Sequence, residues 1–237
     1  MLGIDEAGKG PVIGPLVMCG YMIDSSKIDE LKKMGVKDSK LLTPKRREYL
    51  EGKLKEMSED IVVIKLNAMD IDKLRGETNL NKIEIKRMQE LVNSMDAEKV
   101  FIDAIESNVE KFRKEIIGGL SEKKKDLIKK KKLEIICENY ADKKYPVVGA
   151  ASIIAKVVRD ADIDLIHKEY GDFGSGYPSD PRTIKFLKDW IKKNKKYPPF
   201  VRCSWITAKD IKKDNDQKGI KEFMIKESDI IVKQKDN

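Results

Sequence analysis

The chain has 237 residues, enough for one large domain or two small ones, and its 40% hydrophobic content excludes global disorder and a fibrous repeat. Charged residues reach 38%, and 49 Lys and Arg against 41 Asp and Glu leave a net charge of +8. A positive surplus favours polyanionic partners through counterion release, but on so charged a background it is a modest pointer to nucleic acid. No basic leader precedes an apolar stretch, and no run of 18 apolar residues occurs, so a soluble cytoplasmic protein without a membrane partner is expected. Cys19, Cys137 and Cys203 are odd in number, far apart and set among apolar or aromatic residues, which predicts reduced core thiols. His167 is the single histidine; zinc sites and Ser-His-Asp triads lack material, and His167 is expected to be a surface or packing residue of a helix.

In chain order, residues 1–7 and 12–23 read as two strands around the turn Gly8-Lys9-Gly10-Pro11. Thr43-Pro44 reads as the N-cap and first turn of a helix to about Met57. Strands are predicted at Ile61–Leu66, Val100–Asp103 and Leu133–Cys137, with helices at about 78–95 and 107–118. The lysine run 123–125 and 129–132 is read as a solvated helix end or loop. Val147, Ala151, Ile154, Val158, Ala161 and Leu165 alternate spacings of four and three, the mark of a long amphipathic helix whose small first residues allow close approach. Asp180-Pro181 caps another helix to about Asn194, and a terminal helix with a loose polar tail follows Trp205. A hairpin followed by strands spaced by helices implies a mixed α/β sheet. The expected divisions are 1–180, a catalytic α/β domain; 181–212, a small helical region; and 213–237, a polar tail.

Five stretches could carry chemistry. In Gly3-Ile4-Asp5-Glu6-Ala7-Gly8-Lys9-Gly10, an apolar strand runs into two acids and then a flexible turn. Successive strand side chains face opposite ways, so Asp5 and Glu6 share a site only if the strand ends or bulges there; otherwise one acid pairs with a lysine and the other is solvated. Asp103 ends an apolar strand, where a carboxylate must be solvated, paired or metal-bound. Asp142 follows the strand at 133–137 and is either a fourth acid of the same group or a helix cap. Four acids from three strand ends, without histidine, suit Mg²⁺ or Mn²⁺. Tyr177, in Gly174-Ser175-Gly176-Tyr177-Pro178, is either a stacking residue for nucleic acid or a core anchor. In Asp38-Ser39-Lys40, Ser39 and Lys40 could hold a phosphate or form a plain surface turn.

At these residues the chain resembles ribonuclease HII, particularly its archaeal type. The matching segments are GIDEAGKGPVIGPLV at 3–17, VKDSKLL at 36–42, FIDA at 101–104, ADKKYPVVGAASIIAKVVRD at 141–160 and GDFGSGYPSDPRT at 171–183. The resemblance implies a ribonuclease H-like mixed sheet flanked by helices, with a small helical C-terminal region. It implies cleavage of RNA hybridised to or embedded in DNA, leaving 5′-phosphate and 3′-hydroxyl ends. It places the catalytic, metal-holding carboxylates on Asp5, Glu6, Asp103 and Asp142, with Asp5 bridging two ions that activate water and stabilise the leaving oxygen. The glycine-basic-glycine motif falls on Gly8, Lys9 and Gly10, whose N–H and C=O groups would read a ribose 2′-hydroxyl, and the junction-sensing tyrosine on Tyr177. Many relatives carry arginine where this chain has Lys9, which puts in doubt only a side-chain phosphate contact. The related ribonuclease HIII usually carries an extra N-terminal domain, whereas the catalytic strand here begins at the first residue.

Two rival functions share some of these features: another nuclease or strand-transfer enzyme of the same fold, and a non-catalytic nucleic-acid-binding module, which would not need the acids. Near the C-terminus, Gln217, Ile220, Phe223 and Met224 resemble a peptide that binds a PCNA-type sliding clamp, since positions 220, 223 and 224 of a helical turn can enter one apolar pocket. The same residues could instead dock onto their own domain. A monomer is expected.

Overall fold

The computed structural model describes residues 1–36 and 42–217. Five strands form one sheet in the order β3-β2-β1-β4-β5: β1 Leu2–Ala7, β2 Leu16–Met22, β3 Asp60–Leu66, β4 Lys99–Asp103 and β5 Glu134–Glu138. β1 and β2 are antiparallel, as are β2 and β3, while β4 and β5 run parallel to β1. Parallel neighbours cannot be joined by a tight hairpin and need a longer, usually helical connection.

One face is covered by α8, Pro146–Tyr170, with α1, Ile28–Lys33, and α2, Pro44–Met57, beyond it. Val147, Ala150, Ala151 and Ile154 of α8 pack there with Val17, Cys19 and Tyr21 of β2. The approach is tight: a Cβ on Gly3 would lie 2.3 Å from the Val147 carbonyl oxygen. The opposite face carries α3, Ala68–Arg75, α4, Leu80–Ser94, and α5, Val109–Gly118. Ile83, Met88 and Leu91 of α4 and Phe112 of α5 bury Leu2, Ile4, Val100 and Ile102. Leu187 and Ile191 of α9, Pro181–Asn194, join this same core, as do Trp205, Ala208 and Ile211 around the helix at 206–217.

Capping follows the sequence signals. Thr43 Oγ1 accepts the Arg46 amide of α2, and Asp180 caps α9 with Pro181 in its first turn; such caps satisfy amides that a helix start leaves unpaired. Three expectations are corrected. Residues 12–15 are not strand; Ile13 makes one isolated bridge to Val201 before β2 begins. The lysine run reaches from α6, Glu122–Lys129, into the turn at 130–132, a helix end as expected, but Lys124 is buried, its ammonium donating to the Met95 carbonyl at 2.6 Å and Asp96 at 2.9 Å. A long aliphatic stem lets a lysine fill an apolar gap when its charge finds acceptors. Cys203 is exposed, whereas Cys19 and Cys137 are buried as expected. His167 stacks on Phe173 at 3.8 Å, the packing role anticipated. Among the described residues no helix is long and apolar enough to cross a membrane.

Candidate active site

The acids converge because of where strand pairing stops. β1 and β4 pair only through Ile4 and Ile102, so Asp5 and Asp103 are the first residues past their last shared rung. On its other side β1 stays paired through Ala7 and Val17. β1 neither ends nor bulges at the acids; the alternation persists, with Asp5 on the α8 face and Glu6 on the α4 face of the strand's end. Asp5 accepts a hydrogen bond from Ser152 of α8, and its Oδ1 accepts the Glu6 amide at 2.7 Å. Asp142 lies in the short helix α7, Ala141–Lys144, and is almost fully buried. α7 is tied to β4 by the Ala141 amide, which donates to Asp103 Oδ1 at 2.7 Å.

Burial holds Asp5 well above the usual carboxylate range, at about 7, with the Asp103 charge adding to it and Asp142 contributing less. Glu6 is raised in turn by burial, then by Glu84 and Asp5. The acids thus raise one another as like charges, with Lys9 offsetting part of that effect at Glu6. Among the described residues no three acids close into a ligand cage as they stand; Asp5 and Asp103 each spend an oxygen on a backbone amide. The donor set still fits hard divalent cations, since every donor is oxygen and Glu6 Oε2 is buried without a hydrogen-bond partner among the described residues.

The turn after β1 is held by residues almost 200 positions away. Gly8 adopts φ +89°, and a Cβ there would meet the Pro15 carbonyl oxygen at 2.4 Å. Arg202, fully buried, donates to the carbonyls of Gly8 at 2.6 Å, Lys9 at 3.0 Å and Gly14 at 2.9 Å. Trp205 Nε1 donates to the Gly10 carbonyl at 3.1 Å. Since each of these turn carbonyls already accepts a bond, the amide N–H groups are the readier contacts for a ligand. We expect Arg202→Met to lower stability by about 3 kcal/mol or more, because three buried acceptors lose a charged donor; chemical denaturation measures it.

Tyr177 stands beside this turn. A Cβ on Gly10 would lie 3.4 Å from the tyrosine ring, and the Gly176 carbonyl accepts the amides of Val12 and Ile13. The ring is 41% exposed, which favours a contact residue over a core anchor. Arg159, buried under Gly8 with its guanidinium 5.8 Å from the Tyr177 ring centroid, leaves Nε and Nη2 without partners among the described residues. Ser39 and Lys40 lie outside the described residues, as do Ile220, Phe223 and Met224; Gln217 is exposed at the end of the helix at 206–217.

Arg202, Trp205, Arg159 and Glu84 were not singled out from the sequence. Only a fold that returns the C-terminal segment to the first turn reveals the first two, and Glu84 reads in sequence as one more charge on a helix.

A profile of the family Ribonuclease HII matches residues 2–208. The chain belongs to the ribonuclease HII family. Ribonuclease HII of Methanocaldococcus jannaschii is 47% identical over 224 residues, covering 89% of this chain and 94% of the relative. Among solved structures, ribonuclease H2 of Pyrococcus horikoshii OT3 superposes with a TM-score of 0.82 at 40% identity, covering 91% of this chain and 98% of that one. The ribonuclease HII in a complex with PCNA from Archaeoglobus fulgidus gives 0.77 at 37% identity, covering 89% and 95%. The sheet and its flanking helices are thus the ribonuclease H-like fold, and membership of the ribonuclease HII family makes the chain a ribonuclease H enzyme.

Proposed function

We propose that the chain hydrolyses the RNA strand of RNA/DNA hybrids and cuts at ribonucleotides embedded in duplex DNA, leaving 5′-phosphate and 3′-hydroxyl ends. One observation carries this reading: Asp5 and Glu6 of β1, Asp103 at the end of β4 and Asp142 of α7 lie beside a braced glycine turn that Tyr177 flanks. Asp5, Glu6, Asp103 and Asp142 would hold two divalent cations, Mg²⁺ or Mn²⁺. When bound, such cations activate water and stabilise the leaving 3′ oxygen of an in-line displacement. The chain's own residues do the selecting. The Gly8–Gly10 amides approach the sugar closely enough to sense its 2′-hydroxyl, the group that separates RNA from DNA, and the exposed face of Tyr177 stacks on the following deoxyribose.

A panel of three labelled duplexes tests the proposal: all-DNA, DNA with one ribonucleotide, and an RNA/DNA hybrid. Cutting of the second and third but not the first is expected. Cutting of all three favours the general nuclease, and cutting of none favours the binding module. On the single-ribonucleotide duplex, Tyr177→Ala should lower kcat/KM by the worth of a stacking contact, about 1–3 kcal/mol or roughly 5- to 150-fold, with Tyr177→Phe retaining more. Equal activity of the three proteins would remove the stacking role.

A PCNA-type clamp is the proposed protein partner. The Archaeoglobus fulgidus complex supports it, together with the motif spacing at Gln217, Ile220, Phe223 and Met224.

A further inference from the structure

A basic side chain inside a glycine turn invites assignment as a phosphate contact, and for Lys9 the structure points elsewhere. Its ammonium donates to Glu84 Oε2 at 2.6 Å and to Asn81 Oδ1 at 3.1 Å, both on α4. The Glu84 side chain is fully buried, with Ile83, Ile85 and Met88 of the same helix in the surrounding core. A carboxylate in such a place costs several kcal/mol unless a cation meets it, and Lys9 is the cation that does. Glu84 Oε1 has no hydrogen-bond partner among the described residues, so the pair is the main support that the carboxylate has. Arg202 and Trp205 meanwhile take the carbonyls of Gly8, Lys9 and Gly10. The turn is therefore fastened twice, through its backbone to the C-terminal segment and through its one long side chain to α4.

We propose that Glu84 is a positioning residue for this reaction, acting through Lys9, whose ammonium latches the ribose-reading turn to α4 and makes no phosphate contact. The inference rests on the ribonuclease H reading above and adds to it a residue outside the acid cluster and the turn.

Salt dependence separates a latch from a phosphate contact. Each phosphate that a lysine neutralises adds about 0.9 to the slope of log affinity against log salt on duplex DNA, whereas an internal ion pair adds nothing. Binding of a labelled duplex with one ribonucleotide is measured in EDTA across a KCl series, for wild type, Lys9→Met, Glu84→Gln and the double variant, and kcat is measured separately with Mg²⁺. We expect the Lys9→Met slope to stay within about 0.3 of wild type. We expect kcat to fall about tenfold in each single variant, and the double variant to be no worse than the poorer single one, as befits two groups acting as a unit. A slope lower by about 0.9 in Lys9→Met, or wild-type kcat in Glu84→Gln, overturns the proposal. Should Lys9→Met fail to fold, the double variant, which leaves no unpaired buried charge, supplies the slope. Because the slope is read without cleavage, failure of the latch is distinguishable from failure of the ribonuclease H reading, which would show as an uncut wild-type substrate.

Discussion

We expect Asp5→Asn to abolish cleavage and yet to raise the stability of the metal-free protein at pH 8. Asp5 is almost fully buried beside Asp103 and Asp142, and burial holds it at about 7 against an ordinary 3.8. A carboxyl whose folded value is raised contributes stability that is complete below its unfolded value and is lost as pH rises through the folded one. In EDTA, wild-type stability should therefore fall between about pH 4 and pH 7 from this group, by an amount on the order of 2–4 kcal/mol. Asparagine carries no charge to bury, so the variant should lack that part of the decline and overtake wild type above pH 7. Denaturant titrations at pH 5 and pH 8 check the stability half, and turnover with Mg²⁺ or Mn²⁺ checks the activity half. Retained cleavage in both Asp5→Asn and Asp103→Asn would remove the assignment of these acids to the reaction.

Gly8→Ala should be the most damaging single-methyl change at the site. At φ +89° any L side chain is strained, and the new Cβ would lie 2.4 Å from the Pro15 carbonyl oxygen and 2.9 Å from the buried Arg159 stem. Backbone cannot yield as a flexible side chain can, so the turn itself must shift. We expect a stability loss of about 2–4 kcal/mol and a fall in kcat of about 100-fold on the single-ribonucleotide duplex, the scale of a misplacement near 1 Å. Gly52, in open space on α2, serves as the control: Gly52→Ala should leave turnover unchanged and stabilise slightly, since alanine is the better helix former.

Asp5 and Asp103 stand out in the sequence because a carboxylate at the end of an apolar run must be solvated, paired or metal-bound. Ile102 before Asp103 marks the end of β4 by composition alone, whereas β1 runs past Asp5 to Ala7, and the structure adds why those two acids meet: β1 and β4 stop pairing one residue earlier. The expected break in β1 was mistaken for a related event. β1 does lose a partner at Asp5, but the partner is β4, while β2 remains paired through Ala7. Tyr177 was legible as a loop aromatic, and its exposure speaks against the core-anchor reading while its stacking role stays a proposal.

The braces were not legible. Arg202 reaches back 194 residues to Gly8 and Trp205 reaches back 195 to Gly10, and no local period or spacing encodes such a contact. Glu84 and Lys124 look like ordinary charges of helical segments, and only tertiary packing shows that both are buried with partners. Cys203, between Val201 and Trp205 in sequence, ends up exposed while its amide donates to Asp72. In each case the deciding partner lies on another element.

The central claim is that Asp5, Glu6, Asp103 and Asp142 together form a site for divalent cations. Mn²⁺ titration followed by thermal unfolding at pH 8 tests it most directly, because an ion that binds only the folded state raises the unfolding midpoint with its concentration. The midpoint should rise for wild type and little or not at all for Asp5→Asn and Asp103→Asn. An equal rise in all three proteins, or none in any of them, would contradict it.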